Sequence, residues 1–308
     1  MDLKLNMKSK EFLKHLDEFY TRLDYSEKYR LMDIAGRKEK LGIIDAGYKL
    51  FFSKKLAYFS EKKGYTLSQI PLRILDFGSG TGEFTVLMNL LGHNAVGIEL
   101  HQSHLKLARI LSKENGLSDD IFVFNEQKKL PFPDNHFDLV TSFSVFEHLD
   151  EETISWVIPE MYRVCSGFVY TLVPNPIKPI DDHTGLAFLS YMPRWLALLY
   201  LKVVKEKYEY SQVTISGDWD VFYRFLPKLQ QCFEKENFTF DYLPDSLHYP
   251  PLSVVPPVHK VGKYFSILGF KVFIGLPLLA DFMIKRGRPK QYYYPYLNLV
   301  CTPKKSCN

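Results

Sequence analysis

A chain of 308 residues can bury one large core, or one core with a smaller cap. Its 46% hydrophobic and 24% charged residues are those of an ordinary globular protein, and a net charge of +4 is too small to mark a nucleic-acid binder. Four cysteines (Cys165, Cys232, Cys301, Cys307) form no CxxC pair and no metal-ligand spacing, so no metal is expected. Cys165 and Cys301 lie in or beside apolar runs, as buried reduced thiols do. The opening segment MDLKLNMKSKEFLKHLDEF is charged throughout and lacks the apolar stretch of a secretion signal, which makes the cytoplasm the expected compartment.

Residues from 9 to roughly 60 are helical in pattern. Phe12, Leu13, Leu16, Phe19, Tyr20 and Leu23 recur at three- and four-residue spacing, and a second helical stretch covers about Ile43 to Phe59. From Leu72 strands and helices alternate. Leu72–Phe77 is a short apolar run ended by glycines, as a buried parallel strand would be. Glu83–Leu91 predicts a helix, Ala95–Leu100 a second strand, His104–Lys113 an amphipathic helix and Ile121–Phe124 a third strand. Phe137–Phe143 predicts a fourth strand, Ile154–Val164 a helix and Phe168–Val173 a fifth strand. Such alternation implies a parallel sheet with helices on both faces. Beyond Pro174, helices are expected at Trp195–Val204 and Val221–Glu234, and closing strands at Phe238–Tyr242 and Tyr296–Cys301. A long insertion, Pro244 to about Tyr294, separates those strands. The chain carries no internal repeat and no low-complexity tract.

Between the first strand and its helix runs Asp76-Phe77-Gly78-Ser79-Gly80-Thr81-Gly82. Closely spaced glycines there let the backbone turn sharply and approach a ligand. Glu99, at the end of the second strand, is placed to accept hydrogen bonds from the two ribose hydroxyls of a nucleoside. The spacing is GxGxG rather than GxGxxG, and the helix after it opens on Glu83. A carboxylate is a poor neighbour for a pyrophosphate, so an NAD(P)-dependent oxidoreductase is the weaker reading.

Five blocks in order, ILDFGSGTG, GIEL, LPFPDNHFDLV, SVFEHL and PEMYRV, resemble class I S-adenosylmethionine (SAM)-dependent methyltransferases of the branch that modifies small molecules. The likeness runs from about Leu72 to Pro176. It implies a Rossmann-like, doubly wound, seven-stranded α/β sheet with the last strand antiparallel, and SAM as cofactor. It also implies that Gly78, Ser79, Gly80 and Gly82 line the methionine end of SAM, that Glu99 holds the ribose and that Leu100 packs on adenine. Glu126 stands where an aspartate usually accepts from the adenine amino group, a departure of one carbon. Gln127 would offer its backbone N–H to the ring, Phe143 and His148 would lie beside the cofactor, and Asp138 would be structural. Asp76 is the acceptor available to the methionine ammonium.

A sulfonium methyl is already electrophilic, so the main demand is in-line placement of the acceptor with water kept out. If the acceptor is a hydroxyl, a general base helps. His183, in Asp181-Asp182-His183-Thr184-Gly185-Leu186 after the fifth strand, is the candidate, with Asp181 or Asp182 orienting its ring. His248 and the tyrosines of the insertion compete for that role.

Tyr264–Ile284 is the most hydrophobic stretch, interrupted by Lys271, Pro277 and Asp281 and followed by the basic run 285–290. Two internal charges and a proline argue against spanning a membrane. A cap over the site, a peripheral membrane contact through 264–290 and a dimer surface are the open readings. The expected organisation is an N-terminal helical segment (1–70), a SAM-binding core (71–243), a cap or membrane-contact insertion (244–294) and a closing strand with tail (295–308). The expected function is methyl transfer to a small-molecule or lipid-like acceptor, at oxygen, with nitrogen or carbon as alternatives. A non-catalytic subunit or membrane adaptor on the same fold is the rival reading.

Overall fold

The computed structural model describes residues 7–23, 25–42, 46–62, 71–178, 181, 183–184, 186–204, 219–244, 247, 282–294 and 296–305. Three helices open the chain, α1 (Lys10–Arg22), α2 (Glu27–Gly42) and α3 (Ala46–Lys62). The apolar stripe of α1 is buried through Phe12, Leu16 and Tyr20, as its spacing requires. Its first-turn N–H groups are capped from another helix: the Glu114 carboxylate accepts from the amides of Glu11 and Phe12, each at 3.1 Å. By contrast α2 leaves Leu31 and Met32 exposed. It carries no clean apolar stripe, which is why the sequence pattern did not separate it as a helix of its own.

The alternating region follows as β1 (Arg73–Phe77), α4 (Glu83–Leu90), β2 (Asn94–Glu99), α5 (Gln102–Glu114), β3 (Phe122–Phe124), β4 (Phe137–Phe143), α6 (Glu151–Val164) and β5 (Cys165–Pro174). Then come α7 (Arg194–Val203), α8 (Leu226–Lys235), β6 (Phe238–Tyr242) and β7 (Tyr296–Pro303). The sheet order is β3-β2-β1-β4-β5-β7-β6, with β7 antiparallel to both neighbours. This is the seven-stranded α/β sheet expected from the sequence. The largest boundary difference is at α8, which starts at Leu226, not Val221. Pro227 suits only the first turn of a helix, so residues 219–225 run as an irregular strap instead.

Each buried strand feeds both faces by simple alternation. Ile74 enters the cluster built with Phe12, Phe59, Val86 and Leu111, from α1, α3, α4 and α5. Leu75 enters the opposite cluster, with Val157 of α6 and Phe233 of α8. A third, smaller core joins α7 to the strap through Ala197, Leu201, Trp219 and Val221. No helix among the described residues is long and apolar enough to cross a membrane. The core of the apolar insertion, 264–281, lies outside the described residues.

Two of the motif blocks prove to be one structural unit. Arg163 of α6 donates to the carbonyls of Leu130 (2.9 Å) and Phe132 (2.7 Å) and to Asp134 (2.9 Å), while Glu160 accepts from the Leu130 amide at 2.7 Å. The loop 130–134 is thereby pinned to α6 just before β4 begins. Asp138 works similarly inside the sheet. Its buried carboxylate accepts from the Arg73 amide (3.0 Å), Nε (3.1 Å) and Nη2 (2.9 Å), tying β4 to the start of β1. Asp138→Ala should lower unfolding free energy by about 1–3 kcal/mol in chemical denaturation of the full chain. An unchanged midpoint and slope would show the contact to be idle.

Candidate active site

The sheet reverses its strand order between β1 and β4, so a crevice opens at their carboxyl ends. Register brings the relevant residues to that edge: Asp76 pairs with Gly97 and Thr141, and Glu99 with Phe124. Gly78 has φ +73°, and a Cβ there would stand 2.5 Å from Val145 Cγ2, so only glycine lets this loop nest against the turn after β4. Gly80 has φ +53° with nothing within 4 Å of its Cβ position, leaving its backbone open to a ligand.

The loop amides are mostly turned inward. Gly78 and Ser79 donate to the Ile98 carbonyl at 3.0 and 3.1 Å, and Gly82 to the Ser79 carbonyl at 2.9 Å. Gly80 donates to Glu99 Oε2 at 2.8 Å. Glu99 is buried, and its Oε1 accepts from the amides of Leu100 and His101, both at 2.9 Å. A carboxylate has about four lone-pair directions. Three are used, so a diol that takes two bonds displaces one amide, and Gly80 is the one on the open side. Leu100 beside it is 53% exposed, a flat apolar surface at the crevice edge.

Asp76 lies beneath the loop, 2% exposed, accepting from Thr85 Oγ1 at 2.8 Å and Thr141 Oγ1 at 3.3 Å. Burial drives its carboxyl up to about 7; the two threonine hydrogen bonds act in the opposite sense, and the charges of Glu99 and Glu83 add to the rise. Phe143 packs edge-on against Phe84 and Tyr170, at 4.8 and 5.6 Å between ring centroids. Glu126 and Gln127 are exposed, and the Gln127 amide donates to Asn125 Oδ1 at 3.3 Å. Asn125, which also donates to the carbonyls of Gln127 and Lys129, shapes this loop and was not singled out from the sequence.

His148 Nδ1 lies 3.1 Å from Asp220 Oδ1. Burial lowers its pKa, but the hydrogen bond to Asp220 and the charges of Glu147 and Asp220 outweigh that and leave it raised. His183 packs against the His148 ring at 5.5 Å between centroids. Asp181 accepts from the His183 amide (3.1 Å) and from the amide and hydroxyl of Thr184 (both 2.7 Å), so it holds the turn that carries the ring. Asp182 and His248 lie outside the described residues.

Arg37 is a further residue that the sequence did not reveal. From α2 it reaches Thr81 Oγ1 at 3.0 Å, Glu83 and Asp33, so a cation stands over the glycine loop. The cradle thus offers a buried carboxylate for a diol and an apolar face for a base, as a nucleoside requires, while Arg37 is paired with Asp33 and Glu83. The electrostatics of the cradle generate a stability prediction. Asp76 keeps its proton in the fold above the pH at which the unfolded chain loses it, so stability falls as pH rises from about 4 to 7. Asp76→Asn should remove that slope, gaining on the order of 2–4 kcal/mol over the wild type at pH 8 relative to pH 4. Equal denaturation profiles of the two proteins across this range would refute it.

Residues 75–167 match the family described as a methyltransferase domain. The chain is 33% identical over 151 residues to a ubiquinone/menaquinone biosynthesis C-methyltransferase UbiE of Pseudomonas aeruginosa, covering 47% of this chain and 57% of that protein. It is 28% identical over 187 residues to a demethylmenaquinone methyltransferase of Thermus thermophilus, covering 60% of this chain and 77% of that one. A crystal structure of an S-adenosylmethionine-dependent methyltransferase from Mesorhizobium loti aligns with TM-score 0.44 and 16% identity, over 75% of this chain and 91% of that chain. The chain spans less than two thirds of the length of the Pseudomonas relatives it matches. Residues 75–167 thus carry a methyltransferase domain.

Proposed function

We propose that this protein transfers the methyl group of SAM to a small, lipid-like acceptor, with a hydroxyl oxygen as the receiving atom. The observation that carries the cofactor half is Glu99, a buried carboxylate fixed by three backbone amides beside an exposed Leu100. Bound SAM supplies a sulfonium methyl that needs no covalent intermediate. Glu99 takes the ribose hydroxyls, Leu100 the adenine face, and Glu126 with the Gln127 backbone the adenine edge. Gly78, Ser79, Gly80 and Gly82 make room for the methionine end, whose ammonium Asp76 balances. Phe143 walls the reacting region against water.

The acceptor's proton is lost at the cluster around His183. The names of the relatives favour a second reading, methylation at carbon of a quinone-related ring, which also requires loss of a proton. An apolar acceptor accords with α7, which leaves Trp195, Leu198, Leu199 and Val203 exposed, and with the exposed basic run 285–290. We assign the insertion 244–294, most of which lies outside the described residues, to recognition of the acceptor. We assign the working location to the cytoplasm, at the membrane surface, with no nucleic-acid partner.

Calorimetric titration of the full chain tests the cofactor half. Glu99→Ala should bind SAM about 10- to 100-fold more weakly, the loss of a pair of charge-assisted hydrogen bonds; wild-type affinity would remove Glu99 from the site. For the chemistry, labelled methyl transfer from SAM to reduced demethylmenaquinone can be followed by NMR, where the product resonance separates oxygen from carbon. His183→Ala should cut turnover about 100-fold or more with SAM affinity intact. Full turnover in that variant would dismiss His183.

A further inference from the structure

Glu147, His148 and His183 bring one ligand atom each, a carboxylate oxygen and two ring nitrogens, to within 4.8 Å of one another. Glu147 and His148 sit on the 3-10 turn Phe146–His148 that leaves β4, and His183 on the turn that follows β5. The donors come from two distant turns, so no spacing in the sequence announces them. We propose that these three side chains hold a divalent transition-metal ion at the mouth of the cofactor crevice.

Donor chemistry sets the class of ion. Two imidazoles and one carboxylate suit Zn²⁺, Fe²⁺ or Mn²⁺, whereas Mg²⁺ and Ca²⁺ favour all-oxygen shells. Three protein ligands also leave a coordination position open. The surroundings are those of a built site. A ligating histidine ordinarily gives its second nitrogen to a carboxylate; here His148 Nδ1 faces Asp220 at 3.1 Å, which directs Nε2 to the ion. The His183 turn is fixed by Asp181, which also takes the Tyr223 hydroxyl.

The strap 219–224 closes over the cluster. Its Phe222 amide donates to the Glu147 carbonyl at 2.6 Å, and Arg224 donates to the Phe146 carbonyl at 3.1 Å. A cavity of about 10 Å³ lies beside the cluster, lined by Glu147, His183, Phe222, Tyr223 and Arg224 but not by His148, with room for one water-sized occupant. The ligand atoms need close by only about an ångström to reach the 2.0–2.2 Å bonds of such an ion.

The site stands without the methyl-transfer reading, but its role rests on it. With an ion held there, the open position would take the acceptor's hydroxyl oxygen and lower its pKa, as an ion does for bound water. The hydroxyl proton passes to solvent. The oxygen then forms its bond to the methyl carbon as the carbon–sulfur bond breaks, and sulfur keeps that electron pair.

The test uses the full chain, stripped with EDTA and titrated with Co²⁺ while visible absorption is recorded, with SAM titrated in parallel. A ligand-field band of low-symmetry cobalt is expected, with affinity at least tenfold lower in His183→Ala and in Glu147→Gln, and 10- to 100-fold lower in Asp220→Asn. SAM binding retained in each variant shows that the fold survives. The absence of a band, or a cobalt affinity unchanged in His183→Ala, would overturn the proposal. Cobalt binding without SAM binding would instead uphold the metal site and sink the methyl-transfer reading.

Discussion

A buried carboxylate at the end of β2 holds the crevice in shape. Glu99 gathers the amides of Gly80, Leu100 and His101 onto its two oxygens, and so ties the glycine loop after β1 to the turn after β2. Hydrogen bonds to an ionised acceptor are about twice as strong as neutral ones. They form here because the parallel register sets Phe77 opposite Ile98, and because Gly80 adopts a φ that side chains resist. The oxygens that organise the loop are also those a ribose would use. Ligand binding is therefore an exchange of partners on a preformed acceptor, which costs less than building one.

The same region carries a deliberate electrostatic penalty. Asp76 is buried deeply enough to sit near 7, and its carboxyl is compensated only by threonine hydroxyls. On the same face of the sheet Lys55 donates to the Tyr170 hydroxyl at 2.6 Å, and burial brings its amine down to about 7. Such groups weaken the free fold. A cation arriving above Asp76 returns part of that cost as binding energy, so the penalty favours the liganded state. The stabilising contacts lie elsewhere, in the Arg73–Asp138 pair and in the Arg163 hub that anchors loop 130–134.

What the sequence reveals and what it hides divide along physical lines. The strands, the glycine loop and Glu99 are legible because each is a local pattern: an apolar run, a spacing, an acid at a strand end. Helix α2 is not, since Leu31 and Met32 face solvent and blur its period. The start of α8 is misplaced because apolar Val221 extends a helical stripe, while Pro227 restricts where a helix can begin. Arg37, Glu114, Asn125 and Asp220 escape altogether. Arg37 acts on Thr81, Glu114 on α1, and Asp220 on His148, each across a separation that only the folded sheet closes. Asn125 works within its own loop, but nothing in its type distinguishes a turn former from a bystander.

The strap 219–224 links these levels. Trp219 and Val221 belong to the small core under α7, while the residues between and after them touch the cluster at Glu147 and His148. Arg194 at the start of α7 donates to the carbonyls of Trp219 and Val221, at 2.6 and 3.0 Å, and so pins the strap to the helix. The exposed apolar residues of α7 are therefore only one rigid element away from the His148 ring. In this fold one short segment joins the exposed apolar face of α7 to the groups around His148.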